Sequence, residues 1–394
     1  MKSKHYIWTF ALLGLTACGS EADSVMPGIV EEEPIQVIPN KNIPIQFGLS
    51  EQANTRADGT YYVEGHDNNV IPAGRKVGVF GYYQGYEEWE TSPMKADFFY
   101  NEPMTVEAPL SDETKTTYLT YSPLRFWPNG NENGKEEMLS FYAYYPYVED
   151  AAAATALGLE MTKEKFLLGQ GEFVFTCKDK ASEQIDFMIS DLDKDQKRSD
   201  YLDGDKRVPI TFYHQLSRIL ININIDPATE TIIDSDNNAT VVTKPRVYDQ
   251  ITEVKVVGVH KRATFIPSKI EERAKWEIPL NDNPIRLVGD VTVDNLPGTN
   301  QNLVGSPETA LLLIPQRCQQ ETHKIVIKLH KVGQGTEDND ENYKTFPVAL
   351  TDLWLSGRDY EYNFRVSETD ELQDTTDFRG NAGIPEDGGL ITNS

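Results

Sequence analysis

Three places in this chain of 394 residues carry residue types whose spacing suggests chemistry. The first is Cys18, which closes the tetrapeptide LTAC behind Lys2, Lys4 and an apolar run from Ile7 to Leu15. Basic residues, a stretch too short to cross a bilayer, and a small pair before cysteine are the pattern of a secretory signal ending in a lipobox. There the thiol is diacylated and residues 1–17 are removed. The second is Arg56, alone in the small, polar stretch SEQANTRADG, where the bond from Arg56 to Ala57 reads as open to a protease. The third is Asp191, Asp193 and Asp195, which mimic the first ligands of a calcium loop. That match fails at Gln196, where the loop needs glycine, and at Leu202, where it needs a bidentate carboxylate. A solvated acidic loop is the better reading.

Other chemistry is thinly represented. HExxH, GxSxG and phosphate-cradling glycine loops are missing, so neither an enzyme nor a cofactor is expected. His214, in FYHQLSR, reads as a core or strand-edge imidazole. Cys177 and Cys318 lie too far apart in sequence to suggest a disulfide framework and read as buried thiols. A formal net charge of −25 argues against nucleic acid, which needs clustered Lys and Arg. Aromatic runs at 81–90 and 141–147 could stack on sugar rings, with Trp89 the first residue to test, although alternate positions in each run suit a sandwich core.

The elements that must position these residues are strands. Runs rich in Val, Ile, Tyr and Phe recur between polar turns at 76–83, 98–101, 138–146, 173–177, 208–225, 251–259, 310–316, 323–330 and 359–366. Helical spacing is confined to 151–169. This pattern predicts an all-β protein built of sandwiches. The acidic, proline-bearing stretch 18–42 reads as a tether. A boundary after Asp226 divides the rest into 43–226 and 227–370, with 371–394 a glycine-bearing flexible tail.

One strand poses a question. In IPIQFGLS, the residues Ile43, Ile45, Phe47 and Leu49 alternate with less apolar ones, the period of a strand with one buried face. Core-quality sequence thus stands just upstream of Arg56.

The blocks IPIQFG and TRA, then VGVFGYY, FFYN, YSPLRFWP, LSFYAYYP, IDFMIS, FYHQLSRILINI, VKVVGV, LLLIPQ and GRDYEYNFRV occur in that order behind the lipobox. In this the chain resembles the fimbrillin family of the Bacteroidales, lipoprotein precursors of type V pili, over residues 43–366. The acidic GSEADS after Cys18 resembles the surface-export signal of Bacteroidetes lipoproteins. The resemblance implies two transthyretin-like β-sandwich domains in tandem, a lipid on Cys18 anchoring the precursor to the outer membrane, and an arginine-specific protease cutting between Arg56 and Ala57. It implies that Ile43, Ile45, Phe47 and Leu49 belong to a removable strand, whose place is taken by a strand of another pilin subunit during assembly into surface fimbriae. The tail spaces its apolar residues too widely for a good donor strand. A host protein or glycan would be the adhesion ligand. The alternative expectation is a surface-anchored glycan-binding lipoprotein that does not polymerise.

Overall fold

The computed structural model describes residues 42–49, 71–89, 95–108, 117–161, 171–203, 206–225, 229–267, 274–280, 286–306, 308–366, 372–376 and 390–393. Cys18, Arg56 and Ala57 lie outside these. Strands dominate the described residues, with one α-helix, Ala151–Leu157, so the all-β expectation holds.

A nine-stranded sheet holds the amino-terminal core. Its path runs Val208–Ile210, Phe47–Leu49, Thr117–Thr120, Lys95–Glu107, Lys76–Gly85, Met138–Tyr145, Met188–Ser190, Phe212–His214, with Asp193–Lys197 also paired to Met138–Tyr145. The two ends of this path are separated in sequence by Thr211 alone. One bent segment therefore joins both ends and curls the sheet around its core, as strands that switch sheets do in packed β structures.

Period-2 alternation sends side chains of the central strands to two cores. Val77, Val79, Leu139, Phe141 and Ala143 face the core inside the curl. Phe80, Tyr82, Tyr142 and Tyr144 face a second, larger core shared with the rest of the chain. Two glycines in VGVFGYY make room for bulky neighbours: a Cβ on Gly78 would lie 2.2 Å from the Tyr144 ring, and one on Gly81 2.6 Å from the Phe99 ring.

The remaining strands pack around the second core. Leu311–Leu313, Ser217–Asn224, Asp359–Val366 and Leu372–Asp374 form one sheet, and Val288–Thr292, Tyr248–His260, Lys324–Lys331 and Tyr343–Ala349 form another. Ile219, Ile221, Ile223, Tyr362 and Phe364 of the first sheet meet Val254, Val256, Ile325, Ile327 and Leu329 of the second in that core. A five-stranded sheet of Leu390–Asn393, Lys275–Ile278, Arg262–Ile266, Phe173–Thr176 and Leu159–Met161 completes the fold.

Several expectations change. Strand pairing crosses the boundary placed after Asp226: Ser217–Asn224 runs parallel to Asp359–Val366, and Phe173–Thr176 pairs with Arg262–Ile266. The polar stretch beyond it contains a β-hairpin, Thr229–Ile233 with Ala239–Thr243. The helix expected over 151–169 ends at Gly158, whose left-handed φ of 69° terminates it after Asp150 has capped its start by accepting from the Ala153 N–H. The end of the tail read as flexible is a strand, since Leu390–Asn393 lies parallel to Lys275–Ile278. That edge offers open backbone groups, and Leu390, Ile391 and Thr392 suit a strand well enough to use them.

Candidate functional site

The segment Ile43–Leu49 sits between two walls. On one side Phe47–Leu49 runs antiparallel to Thr117–Thr120, with Phe47 opposite Leu119. On the other it runs parallel to Val208–Ile210, with Phe47 opposite Val208. Pairing continues upstream: the Ile45 N–H donates to the Arg125 carbonyl and the Trp127 N–H to the Ile43 carbonyl, each at 2.9 Å, while the Val208 N–H donates to the Gln46 carbonyl at 2.8 Å. The Tyr121 hydroxyl adds a bond to the Ile45 carbonyl at 2.9 Å. Burial pushes this phenol above its ordinary range, so it stays a donor at neutral pH.

The alternation does what its period requires. Ile45 and Phe47 are 0% exposed, and Ile43 and Leu49 are 7% exposed. The Phe47 ring stands edge-on to Phe141, Phe99 and Tyr121 with centroids 5.1, 5.9 and 6.2 Å away, a geometry that adds to the area buried. On the outer face the Arg207 side chain passes over Gly48, 3.4 Å from where a Cβ would sit, and sets its guanidinium 4.9 Å from the centre of the Tyr118 ring. Arg207 thus closes over the strand like a clasp.

Burial of a large apolar side chain contributes roughly 1.5–3 kcal/mol. Four such side chains amount to about 6–12 kcal/mol as an upper bound, because the unfolded chain already hides part of its surface. That is comparable with the ~5–15 kcal/mol net stability of a domain. Val208–Ile210 pairs with no strand other than Phe47–Leu49 among the described residues. Taking the strand away would therefore open a slot lined by apolar side chains and by two facing backbone edges.

Of the other sequence candidates, Trp89 is a correction. It is 8% exposed and packs edge-on against Tyr82 at 5.1 Å, so it is a core residue and offers no sugar platform. The acidic neighbours that made its surroundings look loop-like, Glu87 and Glu88, are exposed while the indole turns inward. The aspartate run is also different from a solvated loop: Asp193–Lys197 is a strand. Asp195 accepts from the Trp89 N–H at 2.8 Å and the Gln84 amide at 2.7 Å, tying the 85–89 turn to this strand. Half-buried Asp193 is pushed up to about 7 by that burial.

His214 does lie on a strand, with its Nδ1 against the Asp186 carboxylate. Beside it Arg218 grips Asp359 through two nitrogens, the Nε bond being 2.9 Å. Cys177 and Cys318 are buried free thiols, and burial pushes Cys177 up to about 12, far from thiolate reactivity. Sequence reasoning missed Tyr121, Arg125, Trp127 and Arg207 as the frame of the first strand. YSPLRFWP stood out as a block, but nothing local said which strand it framed.

Comparison with known proteins supports the all-β fold. A profile of the fimbrillin-like family matches residues 55–379, and the chain belongs to that family. No curated protein sequence matches the chain. Among solved structures, it shares its fold with a fimbrial protein from Bacteroides vulgatus, at 16% identity and a TM-score of 0.50, covering 84% of this chain and 98% of that one. A putative cell adhesion protein from Bacteroides ovatus matches at 15% identity and a TM-score of 0.45, covering 85% and 96% of the two chains. Another, from Bacteroides uniformis, matches at 13% identity and a TM-score of 0.42, covering 86% and 99%.

Proposed function

We propose that this chain is the precursor of a structural fimbrial subunit, exported as an outer-membrane lipoprotein through Cys18 and assembled at the cell surface after cleavage between Arg56 and Ala57. An arginine-specific protease would release the lipid and the strand carrying Ile43, Ile45, Phe47 and Leu49 as one piece. The vacated slot would then take up a strand from another subunit, and the polymer would serve adhesion to a host protein or glycan.

One observation carries the proposal: the first strand is an interior member of a sheet, yet among the described residues its covalent link to the rest of the fold runs solely beyond Leu49. Cutting that link costs no core residue its place in the remaining chain. It leaves two edges set one strand apart, and open edges over apolar side chains are strong acceptors of a foreign strand.

The test is the mature amino terminus together with an Arg56→Ala variant. Protein from the native surface should begin at Ala57, and the variant should stay monomeric and membrane-bound. Normal polymer from Arg56→Ala, or acylated Cys18 in every assembled molecule, overturns the proposal.

A further inference from the structure

The slot of the first strand makes different demands on its two faces. On the inner face the demand is for volume at one position. Phe47 stands among the rings of Phe99, Tyr121 and Phe141. Without its ring those three would border an empty space, and the cost of such a space grows with its volume.

One residue later, on the outer face, the demand is for smallness. Pleating turns Gly48 away from the core, yet it is buried. Arg207 covers it: Cβ and Cδ of that side chain lie 3.4 and 3.7 Å from where a Cβ on residue 48 would sit, and the guanidinium lies 4.9 Å from the centre of the Tyr118 ring. A methyl group would just touch the arginine stem. A longer or branched side chain would push the stem aside and lift the cation off the ring, forfeiting their attraction. The stem has little room to retreat, because Val208, next in the chain, is paired with Phe47 itself.

We infer that Arg207 determines the specificity of the slot, admitting a strand in which an aromatic ring is followed at once by a residue no larger than alanine, and that this strand comes from a subunit different from this chain. The inference rests on the strand exchange proposed above and names the partner it takes.

The foreign origin follows from the sequence. In residues 43–49 apolar side chains precede the ring by two and four positions, and glycine stands directly behind it. From Ala57 to Ser394 a ring precedes Gly, Ala or Ser at three places, Phe80, Tyr121 and Tyr142. Lys76 and Gly78 break the pattern before the first, Thr117 before the second and Ser140 before the third. Phe80 and Tyr142 are moreover fixed in central strands, and Tyr121 frames the slot itself. Beyond Val366 the one ring is Phe378, with Arg379 directly behind it. A copy cut after Arg56 therefore holds no strand that meets both demands, and its slot is left to another kind of subunit.

The test keeps the whole chain. A site for a sequence-specific protease is placed directly after Arg56, and the protein is folded and then cut, so the native strand occupies the slot at the start. Fluorescent peptides spanning residues 42–52 are then offered and their uptake is followed. The peptide of native sequence should enter. With Phe47→Ala its uptake should fall by roughly a hundredfold or more, and with Gly48→Val by about tenfold. Arg207→Ala in the protein should bring the Gly48→Val peptide to within about threefold of the native one and leave the Phe47→Ala defect in place, a rescue that isolates the pair. Equal uptake of the Gly48→Val and native peptides by the unaltered protein, or a defect undiminished in Arg207→Ala, overturns the role of Arg207. Polymer formed by the cut chain with no other protein present overturns the foreign origin of the strand. Refusal of the native peptide by every variant overturns strand exchange itself, and is thereby told apart from both.

Discussion

Residues 43–49 and residues 231–243 are both short β segments furnished with branched aliphatic side chains, and water reaches them in opposite degree: 0% at Ile45 and Phe47, 64% at Val241. The difference lies in spacing and neighbours rather than in hydrophobicity. Apolar residues of the first segment fall on alternate positions, so a single core takes all four, and strands flank it on both sides. In the hairpin the apolar residues are adjacent, Ile232 beside Ile233 and Val241 beside Val242, so a pleated backbone sends them to opposite faces. No single body beneath the ribbon could cover both. The first pattern suits burial from one side within a chain, and the second suits contact with something outside it.

Replacing Phe47 with Ala should break the comparison most severely. It removes a ring that touches three others and should lower the stability of the full-length precursor by about 3–5 kcal/mol in denaturant unfolding. A loss below about 1 kcal/mol would mean that the first strand is no part of the working core. Tyr121→Phe takes away only the hydroxyl donated to Ile45 and should cost about 1 kcal/mol by the same measurement.

Titration sharpens the contrast, because the packed body and the ribbon respond in opposite senses. For His214, burial pulls the pKa down, but the charge and hydrogen bond of Asp186 outweigh it and raise it above the ordinary 6.5. Arg218 opposes that rise and Asp359 supports it. A raised pKa means that the folded form holds the proton more tightly. Its contribution is complete below about pH 6.5 and fades as pH rises through the raised value. Thermal midpoints should therefore fall between neutral and mildly alkaline pH, and His214→Gln should flatten that slope. At the ribbon's tip the hydrogen bonds from Asn238 hold Asp234 below its ordinary 3.8. Hydrogen-exchange protection of the Asp236 and Asn238 amides should accordingly vanish as pH drops below that range, with the body still folded. The smallest effect belongs to Ile233→Ser, which should change monomer stability by no more than about 0.5 kcal/mol, as exposed substitutions do.

Much of the amino-terminal core was legible because its information is local. Strict alternation in IPIQFGLS marked the buried face of the first strand, and VGVFGYY and LSFYAYYP marked two strands whose side chains share its core. What could not be read was pairing over long distances. Ser217–Asn224 lies beside Asp359–Val366, and no residue in either strand announces a parallel partner more than a hundred positions away. The polar stretch around Asp234 reads as a boundary and gives no sign of the hairpin it holds. Trp89 was misjudged because its charged neighbours face water while the indole does not. The early end of the helix was readable in principle, since Gly158 is a typical stop.

The walls of the first strand's slot carry a direction. An occupant must lie antiparallel to Thr117–Thr120 and parallel to Val208–Ile210 to repeat the present bonding. If successive subunits fill it, every joint points the same way, and the whole fibre inherits a polarity from one seven-residue gap. Its two ends would then be chemically distinct, one offering an empty slot and the other an unspent strand, so growth and capping would each have only one end on which to act.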